Sequence, residues 1–546
     1  MRKDQPSSDR SHPRTMKTND PVYRILSICA VTCLVGFTVV RGAEKKEAAT
    51  LVEAKIAVPK LPALVPYEPT NNTVLVELSQ YAGYAGLIAI NGGLDPNTDS
   101  VFSKRFGFKL KINLSEEESW GPLNQGRMAA SATTVDVLAV YGRQFQVSVP
   151  VQIGYSRGAD AVVTLASIKR MMDLKGKLVV TSQFTEADFF IRYLANESGL
   201  TVAIATEGGP LDTEKINVVF AGDAFAAGDL FLADLQSGKN RYAACVTWEP
   251  KTTEIVQGSG GKAKVLASNR NILVVADILV VNRGFEKKHP EMVRGLVEGL
   301  LEGNRLVRDN AAAYYGVIGK AFGWDSQQTK TELAKVHLAN LPENLGFFQG
   351  DIAAGGSFDY IFYVATDCYG KAFIPRPGDV DLFKNTRHLK DIERAGGFKG
   401  QTAEITPLLL EAANLVENIP IDKDLRFLFP PNNARFDLND SGNKKHLEGL
   451  AGLLRVGVGS KLLLTGHVEG SLIAKYKAQG ETAYKQVDLT AINLSKNRAR
   501  AVRDALVERF SIESDRIETH GVGWNEPIGG PIDNDRRVQA QWVTVN

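Results

Sequence analysis

From residue 74 onward the chain alternates short apolar runs with longer segments of helical period. The runs at 74–78, 87–90, 135–140, 178–181, 217–220, 243–247, 264–267 and 278–281 read as strands. Segments at 159–172, 186–198, 224–236 and 290–307 place their apolar residues on one helical face. Alternation of this kind predicts α/β layers, with sheets flanked by helices. From 285 to about 338 the pattern turns mainly helical. The last stretch reads as a strand, a helix at 443–454, a strand at 461–465, a helix at 489–510, and strands at 517–523 and 537–544. Two segments lack either period. Residues 44–72 are rich in Ala, Glu, Lys and Pro, and residues 400–426 hold only a short amphipathic piece at 407–416. Both read as linkers.

The N-terminus carries a different signal. Arg2, Lys3, Arg10, Arg14, Lys17 and Arg24 precede an apolar run at 25–40, followed by Arg41-Gly42-Ala43. A basic region before an apolar one is the export pattern. Residues 1–43 therefore read as a cleaved signal peptide or a retained inner-membrane anchor, and the pattern leaves both open. Either way the chain beyond Ala43 is expected in the periplasm or cell envelope. At 546 residues the chain should hold about three units. A formal net charge of +2, with 23% charged residues, gives no concentrated basic face for nucleic acid. Beyond Cys29 and Cys33 in the apolar run, only Cys245 and Cys368 remain. They read equally as a pair or as two separate thiols. No metal-ligand spacing appears, and no cofactor is expected.

The sharpest motifs lie near the C-terminus. Thr465-Gly466-His467-Val468-Glu469-Gly470-Ser471 ends an apolar strand, and Leu494-Ser495-Lys496-Asn497-Arg498-Ala499 sits on a helix. Gly521-Val522-Gly523-Trp524 and Asp535-Arg536-Arg537-Val538 follow. In order and spacing these resemble the OmpA-like peptidoglycan-binding family. The resemblance implies an α/β sandwich over 427–546 that binds the diaminopimelate of the peptidoglycan stem peptide. That side chain ends in an ammonium and a carboxylate, so it needs an acid and an arginine fork. By motif match Glu469 takes the first role and Arg498 the second, with Gly466, His467 and Arg537 beside them. Gly466 and Ser471 would let the backbone approach the ligand. This chain departs from the family at Glu469 in place of Asp, Ala491 in place of Asn, and Asp535 in place of Asn. It also has an apparent insertion around 475–488.

Residues 73–399 carry a second ordered set: Tyr84-Ala85-Gly86, Asn91-Gly92-Gly93-Leu94, Ser156-Arg157-Gly158-Ala159-Asp160-Ala161, Asp173-Leu174-Lys175-Gly176-Lys177, Thr247-Trp248-Glu249-Pro250 and Val275-Ala276-Asp277. Together these resemble the nitrate/sulfonate/taurine-type periplasmic substrate-binding proteins of ABC importers. The resemblance implies two α/β lobes, 74–163 with 277–398 and 164–276, and a ligand in the cleft between them. Ser156-Arg157-Gly158 before a helix reads as an anion clamp or, on the plainer reading, as a surface arginine. Thr185 reads as a helix cap or an anion site. Tyr84, Trp120 and Trp248 are cleft walls or core. Glu249 and Asp277 could receive an amine, although in the family Asp277 is often a structural lobe-crossing residue. Pyrimidine-synthesis enzymes share this fold, but the body's His289, His337 and His388 are scattered.

The expectation is a non-enzymatic envelope protein. It captures a small anionic or zwitterionic solute, holds to peptidoglycan, and has an ABC permease as candidate partner. The alternative is a scaffold or ligand sensor linking membrane and wall.

Overall fold

The computed structural model describes residues 49–546, apart from 117–118, 353–354, 404, 406–420, 426, 428, 430–431, 436, 458, 529–530 and 544–546. The export segment expected at 1–43 and the amphipathic piece at 407–416 lie outside the described residues. Among the described residues no helix is long and apolar enough to cross a membrane.

Three sheets organise these residues. The first lobe is built on six strands in the order Val336–Leu338, Val147–Ser156, Ala276–Asn282, Ala130–Thr134, Thr73–Leu78, Lys109–Leu114. Every residue of Val147–Ser156 is buried, as expected of a strand covered on both faces. The second lobe orders Leu51–Val52, Ile216–Ala221, Leu178–Ser182, Ala244–Trp248, Asp160–Leu165 and Ala263–Ser268, with Val202–Ile204 pairing alongside Ile216–Ala221. The chain crosses between lobes at 157–159 and returns at 269–275. Asn269 pins the two crossings together. Its Oδ1 accepts from Gly158 N at 2.7 Å and Asp160 N at 3.2 Å, and its Nδ2 donates to Asp160 Oδ2 at 2.7 Å.

The C-terminal sheet orders Ile421–Leu425, Val538–Val543, Lys461–Gly466 and Ile517–Gly521. Helices Ser441–Val456 and Glu481–Phe510 accompany it. Asp440 caps the first of these by accepting from Asn443 N at 2.9 Å. The expected insertion forms the helix Ile473–Ala478 and the opening turns of the 30-residue helix. There Tyr484 stacks on Trp524 at 6.2 Å.

The expected fold class, a two-lobed α/β body followed by a C-terminal α/β sandwich, is what the three sheets form. Several local readings are corrected. The runs at 87–90 and 135–140 lie in the helices Ala85–Asn91 and Val135–Tyr141, each wholly buried. A short apolar run has the same pattern in a buried helix as in a buried strand. Residues 159–172 are instead the strand Asp160–Leu165 and a turn at Met171–Leu174. The two linkers are also partly structured. Residues 51–66 run as a strap over both lobes. Leu51–Val52 pairs with Ile216–Ala221, and the Lys55 backbone exchanges bonds of 2.7 and 2.8 Å with the Gln183 amide. Further along, Gln144 holds Pro59 O and Leu61 N, and Asn124 holds Pro62 O and Val65 N. Within the second linker, residues 421–425 form an edge strand, and Lys423 Nζ reaches Glu197 of the second lobe at 2.8 Å. Leu273 N, in the returning crossover, donates to Val456 O at 3.1 Å.

Candidate functional site

A cavity of about 330 Å³ lies between the lobes. Its walls come from strand ends on both sides: Glu77 and Leu78 from Thr73–Leu78, Thr133 and Thr134 from Ala130–Thr134, Ser182 from Leu178–Ser182, and Trp248 from Ala244–Trp248. Ligands in open α/β sheets bind in such positions. The strap contributes Lys55, Pro59 and Leu61.

Of the residues expected here, Tyr84, Trp120, Ser156, Thr185 and Trp248 line the cavity. Thr185 is not the expected side-chain cap. Its hydroxyl donates to Ser182 O at 3.0 Å and lies 2.8 Å from Ser182 Oγ. Arg157 and Glu249 are not among the lining residues. Ser156-Arg157-Gly158 leads into a crossing and a strand, not a helix, so Arg157 has no helix terminus to work with. Its backbone N donates to Lys335 O at 2.8 Å. Glu249 accepts from Thr253 N at 3.0 Å and Thr253 Oγ1 at 2.9 Å, and pairs with Lys335 of the first lobe at 2.8 Å. It is a tie between lobes.

The cavity chemistry that single residues did not announce is acidic. Glu77, Glu116, Glu186, Asp160, Asp223 and Asp277 all line it. Asp160 accepts from Ser156 Oγ and Asn269, and burial lifts its carboxyl to about 6 against their pull. Burial and the neighbouring Asp160 charge raise Asp277 well above the ordinary aspartate range, while Tyr84 OH donates to its Oδ1 at 3.2 Å. These acids stand far apart in sequence and carry no shared motif. Only the convergence of strand ends gathers them.

In the C-terminal unit, Arg498 is 2% exposed. Its Nε donates to Asn433 O at 3.3 Å and its Nη1 to His467 O at 3.4 Å, with the guanidinium 5.1 Å over the Phe429 ring. Burial and the like charge of Arg536 draw it down to about 10, opposed by Glu469. Glu469 Oε2 accepts from Ser471 N at 2.8 Å. Burial works against its charge, but Ser471, Arg536 and Arg498 hold its carboxyl below the usual range. The acid and the arginine are close enough to act on each other's charge. Gly466 has a different job from the one expected. A Cβ there would meet Ser495 O at 1.9 Å, so the space is filled by the long helix and not by a ligand. His467 is buried, and its N donates to Arg537 O at 2.9 Å. Arg537 Nη1 pairs with Asp535 at 3.3 Å and its Nη2 donates to Glu526 O at 3.2 Å, which pins the loop before the last strand.

Cys245 and Cys368 are both free; burial pushes the Cys368 thiol up to about 12. Among the described residues no cluster of metal-ligating side chains occurs.

No curated protein matches the chain. Among solved structures, it is similar to the periplasmic aliphatic sulphonate binding protein SsuA from Escherichia coli (13% identity, 67% of this chain and 98% of that one, TM-score 0.43). It is also similar to the periplasmic nitrate-binding protein NrtA from Synechocystis PCC 6803 (10% identity, 61% and 92%, TM-score 0.42). Residues 428–540 match the OmpA family. The helices Ser441–Val456 and Glu481–Phe510, the strands Lys461–Gly466 and Ile517–Gly521, and the ordered Gly-His, Leu-Ser-Lys-Asn-Arg-Ala and Arg-Arg-Val segments therefore belong to an OmpA-family domain.

Proposed function

We propose that this chain is a non-enzymatic solute-binding protein of the cell envelope, of the ABC-importer type, tethered to peptidoglycan by its OmpA-family domain. The observation that carries the capture role is the cavity between two lobes, with walls from both sheets. Closure of lobes about a ligand is the motion such a layout supports. His289, His337 and His388 each face a different acid, Glu68, Glu343 and Glu286, so they do not gather into one site. The ligand enters at the strand ends, beneath the strap. An ABC permease is the membrane partner this reading requires.

Tethering rests on the family match and on Glu469 beside Arg498. Arg498 serves two carbonyls through Nε and Nη1, and the remaining N–H groups of its guanidinium are the ones a stem-peptide carboxylate would use. The experiment is co-sedimentation of the full chain with peptidoglycan sacculi. Wild type is expected in the pellet, Glu469→Ala in the supernatant with unchanged melting temperature, and Arg498→Ala in the supernatant with a lowered one, because Arg498 is buried and holds two carbonyls. Pelleting of both variants at the wild-type level would remove this pair from the wall site.

A second reading, a ligand sensor linking membrane and wall, is favoured by one observation. The OmpA-family domain rests on the returning lobe crossover through Leu273 N and Val456 O, so lobe closure and domain placement share a contact. Co-purification with a permease favours transport. Ligand binding without any permease partner favours the sensor.

A further inference from the structure

We infer that the cleft takes a small organic cation, an ammonium compound that also carries a hydrogen-bond acceptor, and not an inorganic or sulfonate anion. The inference rests on the capture reading above and gives its ligand a charge.

Two independent observations support it. The first is the charge of the walls. Among the described residues, six carboxylates line a cavity of about 330 Å³, and Lys55 is the one basic residue lining it. Lys55 is exposed and is held at the cavity by its backbone, through the Gln183 amide. An anion would sit among carboxylates from both sides of the cleft, whereas a cation is attracted from both lobes at once. The second observation is unspent hydrogen-bonding capacity. Asp277 is 3% exposed, and its Oδ2 has no hydrogen-bond partner; neither does the buried Oε2 of Glu116. The indole N–H groups of Trp120 and Trp248 are buried and also without a partner. Folded proteins leave few such groups unpaired, and each one here faces the same space. Two bare acceptors suit the N–H groups of an ammonium. Two bare donors suit an oxygen elsewhere on the same molecule. Tyr84, Trp120 and Trp248 also line the cavity, and aromatic rings attract cations.

The test is isothermal titration calorimetry of the full chain with ethanolamine, choline, putrescine and spermidine, set against taurine, nitrate and sulfate. Saturable heat is expected with at least one amine and with none of the anions. Asp277→Asn and Glu116→Gln should each weaken the amine by about tenfold or more, because neither variant can ionise to balance the bound cation. Glu116 lies at the first-lobe rim with its other oxygen on Gln80 N, so its variant remains informative if Asp277→Asn folds poorly. Binding of an anion but no amine would overturn the inference and leave solute capture standing. Amine binding unchanged in both variants would place the site elsewhere and overturn it as well. Silence from both classes would remove the capture reading together with this one.

Discussion

Asp136 offers a sharp test of the electrostatics beneath the cleft. It sits in the first turn of the helix Val135–Tyr141 and is wholly buried. Neither carboxyl oxygen has a partner in hydrogen-bonding geometry. Burial raises the group from 3.8 to about 7, and the nearby Thr134 hydroxyl and the residue's own amide offset only part of that. An acid whose folded value lies above its unfolded one binds more protons when folded. Stability is therefore lost as pH rises from about 4 to about 7, and below that window the group contributes nothing. A gap of roughly three units at about 1.4 kcal/mol each amounts to ~4 kcal/mol as an upper figure. Asp136→Asn cannot ionise. The stability difference between variant and wild type should then move in the variant's favour from pH 4.5 to pH 8, by up to ~3 kcal/mol, since part of the span lies below pH 4.5. A buried amide without partners lowers the variant by the same amount at every pH, so the slope carries the information and the offset does not. Asp160 and Asp277 titrate in both proteins and largely cancel in the difference. The assay is urea unfolding of the full chain across that range, following fluorescence of the cavity tryptophans. A difference independent of pH would refute the assignment of a proton to Asp136 near neutrality.

Other outcomes follow from single contacts. Gly466→Ala must push the strand Lys461–Gly466 away from the Ser495 carbonyl, and should destabilise the OmpA-family domain by about 3 kcal/mol in denaturant titration. Gln183→Ala removes both bonds to the Lys55 backbone, about 1 kcal/mol each, and should speed proteolytic cleavage within 51–66 while the lobes stay intact. Lys335→Ala leaves Glu249 without its partner from the first lobe, and should lower the melting temperature of the ligand-free chain by an amount equivalent to about 2 kcal/mol. If that loss is absent, Glu249 is not a tie between the lobes.

Much of the architecture could be read from order alone. The helix at 224–236 is found as Ala224–Gln236, opened by Asp223 accepting from Ala226 N at 2.7 Å. Caps and helical period are local, so a single chain segment contains the whole signal. The C-terminal motifs were equally readable. Gly466 and Gly521 lie where the long helix crosses the sheet, and at Gly521 a Cβ would meet Lys496 N at 2.4 Å. A backbone that must pass so close leaves its mark as glycine, independent of the rest of the fold.

Tertiary structure decided everything that depends on which segments meet. The apolar runs at 87–90 and 135–140 became helices because each is enclosed on all sides, which removes the alternation that tells strand from helix. The strap at 51–66 has a linker's composition, yet its backbone groups find side-chain amides of Gln183, Gln144 and Asn124, none of them its neighbours in sequence. Arg157 and Glu249 carried the expected chemistry but are not among the residues lining the cleft; Lys335 pairs with the Glu249 carboxylate and accepts from the Arg157 backbone N. The acids that line the cavity come from strand ends at 77, 160 and 277 and from the loops and helix starts at 116, 186 and 223. Sequence set the identity of each of these residues. Their common charge became a property of the protein only when two sheets brought their ends to one space, because electrostatic interaction follows distance in space and not separation along the chain.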